Sequence, residues 1–144
     1  MADRDPILVA RVAATERAVA RFRNRPFGWE VRRTCIHLAR AQARALGHRL
    51  PAIPDFRSPR GARTALRAQG CDTLDQLLDK FFPRIAPLAA WVGDLVIMAG
   101  GDEFDGIGIV AGGKILGYHE DYLADGLVNL VPTGDAPFIG AWRL

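Results

Sequence analysis

The sequence predicts an α+β domain, with helices first and an antiparallel sheet after them. Three observations predict it. Helical three-and-four apolar spacing fills the segments up to about residue 90, and from Trp91 the pattern turns into short β-prone runs separated by glycines. About half of the 144 residues are apolar (49%), which suits one core but not two ordinary domains. A single domain over residues 1–144 follows, with an N-terminal docking helix in 1–24, a helical part in 25–90 and the sheet in 91–144.

The first helix is expected over about residues 6–23. Asp5-Pro6 opens it, since proline's missing N–H costs nothing in a first turn, and Leu8, Val12, Thr15, Val19 and Phe22 recur along one face. Three heptads are too few for a coiled coil, so this face should dock on the domain. Arg23-Asn24-Arg25-Pro26 ends the helix.

The second helix organises the rest. Pro26 and Gly28 interrupt regular structure, Thr34 is a good N-cap, and no breaker lies between Ile36 and Leu46. Cys35 then occupies the first helical position, where the helix dipole, free N–H groups, Arg32 and Arg33 all favour the thiolate. Two readings of Cys35 stand open: an activated nucleophile, or a small hydrophobe packed under Trp29. Leu38, Ala39, Ala43 and Leu46 continue its apolar stripe. His37, Arg40, Arg44 and His48 fall on the other side, so His37 is expected to be solvated and a poor base.

Pro51, Pro54 and Pro59 mark a loop anchored by Ile53 and Phe56. Ser58-Pro59 opens a short helix closed by Gly70, and Thr73 with Gln76 forms a capping box for the next. Leu74, Leu77, Leu78, Phe81 and Phe82 give that helix a core face before Pro83 stops it. About five strands follow: Leu95–Met98, Ile107–Val110, Lys114–Tyr118, Leu127–Val131 and Phe138–Arg143. They are punctuated by Gly100-Gly101, Gly126, the Pro132 to Pro137 turn region and Gly112-Gly113, a two-residue hairpin signal.

Charge and cysteine usage exclude several classes. Residues 1–90 carry 17 of 19 Lys and Arg against 8 acids, a balance of +9, whereas residues 91–144 carry 2 against 8, a balance of −6. The halves should attract each other, and the basic half suggests a binding module for anionic partners. Its arginines are scattered without interleaved aromatics, which argues against nucleic-acid recognition. Cys35 and Cys71 match no metal-ligand spacing and read as two thiols in a reducing compartment, so neither metal nor cofactor is expected. No run of eighteen apolar residues suggests membrane insertion, and Asp3, Arg4 and Asp5 do not resemble a signal peptide.

A cysteine opening a helix, followed by Gly93-Asp94-Leu95-Val96 and an antiparallel sheet, resembles the NlpC-type branch of the papain-like cysteine peptidases. Arg25-Pro26-Phe27-Gly28-Trp29 before Thr34-Cys35, with the terminal Ala141-Trp142-Arg143, is similar to a family of small proteins encoded with phage and prophage tail genes. The resemblance implies a papain-like fold and a peptidoglycan hydrolase in a virion tail or baseplate, assembled in the bacterial cytoplasm with tail proteins as partners. Cys35 would attack an amide of the stem peptide, with a histidine as base and then acid. The family histidine precedes an apolar-Gly-apolar sequence. Here Ile107-Gly108-Ile109 supplies that sequence, and Gly106 stands in the histidine's place.

Two residues offer replacements. His119 falls where the family places its third polar residue and becomes the base if its ring reaches Cys35; otherwise it is a strand-end histidine beside Glu120 and Asp121. Alternatively Asp105, one residue before the vacant position, pairs with a histidine brought from elsewhere, which requires a bulge for Asp105 to face the site. Trp29 is a candidate substrate-binding residue or a packing aromatic, and Asp94 a turn cap or a chemical group. Thr34, where the family has aspartate, caps almost as well. With the base lost, the same cleft would serve a tail assembly as a non-enzymatic adaptor or plug.

Overall fold

The computed structural model describes residues 6–99, 106–132 and 137–144. Four helices, α1 (Pro6–Ala20), α2 (Cys35–Ala45), α3 (Pro59–Ala68) and α4 (Leu74–Phe81), precede most of a six-stranded sheet. Its strands are β1 (Arg84–Ile85), β2 (Leu95–Met98), β3 (Gly106–Val110), β4 (Ile115–Gly117), β5 (Val128–Asn129) and β6 (Phe138–Trp142). All pairs are antiparallel in the order β1-β6-β2-β3-β4-β5. The α+β class is as expected. The additional strand is β1, a two-residue piece after Pro83 that pairs with β6 and has no run length for periodicity to detect. Asp5, Gly100-Gly101 and Asp105 lie outside the described residues.

Local signals place most boundaries. Ser58 Oγ accepts the Gly61 N–H at 3.0 Å, and Pro59 starts α3. Gly112 and Gly113, at φ 51° and 75°, turn β3 into β4, closed by the Ala111 N–H to Lys114 carbonyl bond of 2.8 Å. The expected capping box of α4 is replaced by other bonds. Gln76 accepts the Asp72 N–H at 2.8 Å, while Thr73 makes no cap bond; its hydroxyl serves the Asp75 carboxylate, whose pKa it lowers.

The core lies between α2 and one face of the sheet. Leu38, Ala39 and Ala43 meet Leu95, Ile97, Ile107, Ile109, Leu116 and Trp142, with Leu74, Leu78 and Phe82 of the α4 region closing one end. Register decides which residues point there: Ile97 pairs with Ile107, and Leu95 with both Ile109 and Trp142. The alternating set, Val96, Gly106 and Gly108, therefore faces the other side.

Two helices bury polar residues that the apolar pattern does not select. On α1, Arg11, Ala14, Thr15, Ala18 and Val19 are buried, whereas Leu8 and Val12 stay 39% and 38% exposed. Thr15, Val19 and Phe22 of the expected face are buried as expected, and Arg11 is buried beside them on Asp94. On α2, His37 and Gln42 are buried as well as the apolar stripe, since α1 and the 50–56 loop cover the face expected to meet solvent.

Asp94 holds the hub of these contacts and is fully buried. Its Oδ1 accepts from Arg11 Nη2 at 2.6 Å and the Leu144 N–H at 3.1 Å. Its Oδ2 accepts from Arg143 Nε at 2.8 Å and the Trp91 N–H at 3.1 Å. Arg11 also donates to the Val92 and Leu144 oxygens and lies over the Trp91 ring. Gln42 Nε2 reaches the Gly93 carbonyl and Thr15 Oγ1, joining α2 to the same turn. Two motifs distant in sequence, Gly93-Asp94-Leu95-Val96 and Ala141-Trp142-Arg143, thus form one ion-paired junction. Asp94 is the turn cap of the two readings, enlarged into a tertiary anchor.

Candidate active site around Cys35

Cys35 occupies the first position of α2. Thr34, with extended backbone at φ −118° and ψ 172°, caps the helix by accepting the His37 N–H at 3.4 Å. The Cys35 residue is partly buried against the core and is in no disulfide. The helix start places Cys35 at the position expected from the sequence.

The Arg25–Trp29 motif is an aromatic arch over this helix start. The ring of Phe27 meets Tyr118 edge-on at 5.3 Å and Trp29 at 5.3 Å, Trp29 meets Phe56 at 6.0 Å, and Phe56 meets His37 at 5.4 Å. The arch is tied to the sheet side by the Phe27 N–H to Leu123 carbonyl bond of 2.8 Å. Gly126 is required beneath it: at φ 81°, an added Cβ would lie 2.8 Å from the backbone nitrogens of both Asn24 and Arg25. Trp29, the candidate substrate-binding residue, is half-buried in this arch and packs on both sides.

Tyr118 joins the site without having been singled out in the sequence. It lies in the core cluster at the end of β4, and its hydroxyl approaches the Arg25 carbonyl at 3.5 Å. Burial raises its phenolic pKa, Arg33 opposes that, and the Cys35 charge adds to it, so the phenol stays protonated at neutral pH. Strand alternation was the available signal: with Leu116 facing α2, Tyr118 does so too.

His119 leaves the strand and starts a 3₁₀ segment, Glu120–Asp125. Its Nδ1 accepts the Asp121 N–H at 3.0 Å, with Asp121 Oδ2 at 3.8 Å and the Tyr122 ring at 5.4 Å, and its side chain is 40% exposed. In this arrangement the basic lone pair of the neutral imidazole is already engaged. Proton abstraction requires release of that cap.

His37 differs from expectation. It is 7% exposed, with Nδ1 2.8 Å from Thr34 Oγ1 and Nε2 buried without a partner among the described residues. Burial, then Arg32 and Arg40, lower its pKa from 6.5 to about 4, so the ring is neutral at pH 7. Two positions beyond Cys35 on a helix, it stands on a different face from the sulfur.

Gly106 lies on the sheet face turned away from α2, and a Cβ there would meet no described atom within 4 Å. Gly108 has a tighter reason to lack a side chain: its Cβ would fall 2.5 Å from Ile115. Among the described residues no group of three His, Cys, Asp or Glu is arranged to hold a metal ion, and no helix is long and apolar enough to cross a membrane.

Comparison with known families supplies one match. Residues 8–143 fit the family model described as Domain of unknown function (DUF6950). The chain belongs to this family. Its span takes in α1, the Cys35 helix, the whole sheet and the Asp94 junction, so the family unit is the full fold. No curated protein and no solved structure matches the chain.

Proposed function

We propose that the chain is a phage or prophage tail or baseplate component built on a papain-like, NlpC-type cysteine hydrolase fold, acting on an amide of the peptidoglycan stem peptide. The observation that supports it is the setting of Cys35: first residue of a capped helix, partly exposed, and packed against the core cluster that holds Tyr118. The thiolate forms a C–S bond to the scissile carbonyl carbon, the amide C–N bond breaks, and the leaving amine takes the proton held by the base. Water then hydrolyses the thioester. His119 supplies the base once its Nδ1 is released from the Asp121 amide.

A second reading, a non-enzymatic adaptor or plug that holds a tail protein's peptide, is supported by two observations. The His119 lone pair is occupied, and position 106 points away from α2. One experiment separates the two. The pH dependence of Cys35 alkylation is followed by mass spectrometry, with buried Cys71 as the protected reference. Hydrolysis of purified stem peptides is then compared between wild type and Cys35→Ala. An apparent Cys35 pKa well below about 8.5, with hydrolysis lost in the variant, supports the hydrolase. A Cys35 that titrates at or above that value, with no hydrolysis, refutes it and leaves the adaptor.

A further inference from the structure

On the side of α2 away from the core, the helix and the 21–33 segment enclose a cleft of about 380 Å³, within the roughly 300–1,000 Å³ of ligand sites. Six arginines line it: Arg21, Arg25, Arg32, Arg33, Arg40 and Arg44. No carboxylate lines the cleft, and none of the six is ion-paired among the described residues. Other arginines of the chain are ion-paired: Arg11 and Arg143 share Asp94, and Arg84 bridges Asp75 and Asp79. The cleft gathers six arginines without a carboxylate in its lining.

Several of these guanidinium groups are held in place by backbone. Arg40 Nε donates to the Pro51 carbonyl at 3.0 Å, Arg33 Nε to the Pro26 carbonyl at 2.8 Å, and Arg32 Nη2 to the Ile53 carbonyl at 3.3 Å. Each of the three retains N–H donors beyond those bonds. Arg32 also holds a left-handed backbone at φ 59°, a conformation that a non-glycine residue adopts only at a cost, in the tight loop closed by the Gly28–Arg33 pair. His37 lines the same cleft, more than nine-tenths buried, with Nε2 unpartnered among the described residues. Burial first, then Arg44 and Arg32, lower the Arg40 pKa, the response of like charges crowded without a counterion.

The geometry points to a binding site for a compact ligand carrying two or three phosphate groups, held by bidentate arginine contacts on the α2 face remote from the core. Planar guanidinium groups match phosphate oxygens in pairs, and several phosphates are needed to balance six cations. A nucleobase finds no platform: Phe22 is the only phenyl or indole ring in the lining, it is buried, and Arg21 lies over it at 6.0 Å. The site is separate from the proposed hydrolase chemistry and stands whether or not Cys35 is a nucleophile.

The test is isothermal titration of the full chain with inorganic tripolyphosphate at low ionic strength, compared with an oligo-thymidylate strand carrying the same number of charges. Three proteins are titrated: wild type, Arg40→Gln/Arg44→Gln, and a control of equal charge loss outside the cleft, Arg57→Gln/Arg60→Gln. Expected are one site per chain, affinity reduced at least tenfold in the cleft variant and less than twofold in the control, and weaker binding of the strand. Arg44 is exposed, so Arg44→Gln alone repeats the test without disturbing the helix; a loss of about threefold is expected. Absence of binding at millimolar tripolyphosphate overturns the assignment. Equal losses in both double variants do so as well, because they signify general charge attraction. Tighter binding of the strand overturns the compact ligand in favour of a phosphodiester chain.

Discussion

Replacing His37 by glutamine should remove a pH dependence of stability that few other groups in the chain produce. In the unfolded chain the imidazole takes up a proton near pH 6.5, whereas in the native structure burial and then Arg32 and Arg40 hold it neutral down to about pH 4. Between those values the unfolded state binds more protons, so native stability falls as pH falls. The contribution is complete above pH 6.5 and lost below about pH 4. That span is worth about 3.4 kcal/mol at about 1.36 kcal/mol per pH unit, a large share of the roughly 5–15 kcal/mol of an ordinary domain. The carboxylates of Asp75 and Asp79 have lowered pKa values, so their titration falls below this window. Urea denaturation at half-unit steps from pH 7.5 to pH 4 gives the two stability curves. The wild-type curve should drop by about 2–3 kcal/mol more than that of His37→Gln. Parallel curves, within about 0.5 kcal/mol over the range, would refute the burial argument and with it the neutral His37 of the arginine cleft.

Two further outcomes follow from the junction and from the strained loop. Asp94→Ala leaves Arg11 buried without its carboxylate and unpins the Leu144 and Trp91 N–H groups, so a loss of about 3–5 kcal/mol in urea denaturation is expected; a loss under about 1 kcal/mol would mean that the junction is incidental. Arg32→Gly relieves the left-handed backbone and should leave stability unchanged or raise it by up to about 1 kcal/mol while weakening tripolyphosphate binding; lower stability would show that the Arg32 side chain holds the loop.

The elements were legible because their signals are local. Thr34, Ser58, Gly112 and Gly113 act through their own backbone geometry and nearest neighbours, and β2 begins and ends where the apolar run does. Cys35 at a helix start was legible for the same reason. The polar residues buried alongside the apolar helix faces were not. Apolar periodicity ranks Leu8 and Val12 above Arg11, and Leu46 above His37 and Gln42, yet the buried residues are Arg11, His37 and Gln42. Arg11 and the Gln42 amide nitrogen are held by partners distant in sequence, Asp94 for Arg11 and Thr15 with Gly93 for Gln42, while His37 is covered by the Phe56 ring.

By itself, then, the sequence determined the α+β class, the positions of the helices and five of the strands, and a thiol at the head of α2. Tertiary structure alone decided that Gly93-Asp94 and Ala141-Trp142-Arg143 form one buried ion junction. It also decided that Tyr118 packs into the core cluster while His119 caps a turn, and that six arginines from two segments share one cleft. The physical reason is range. Helix caps, glycine turns and strand alternation are set within a few residues, whereas a buried charge is tolerable only where folding brings its counter-charge or hydrogen-bond partners to it.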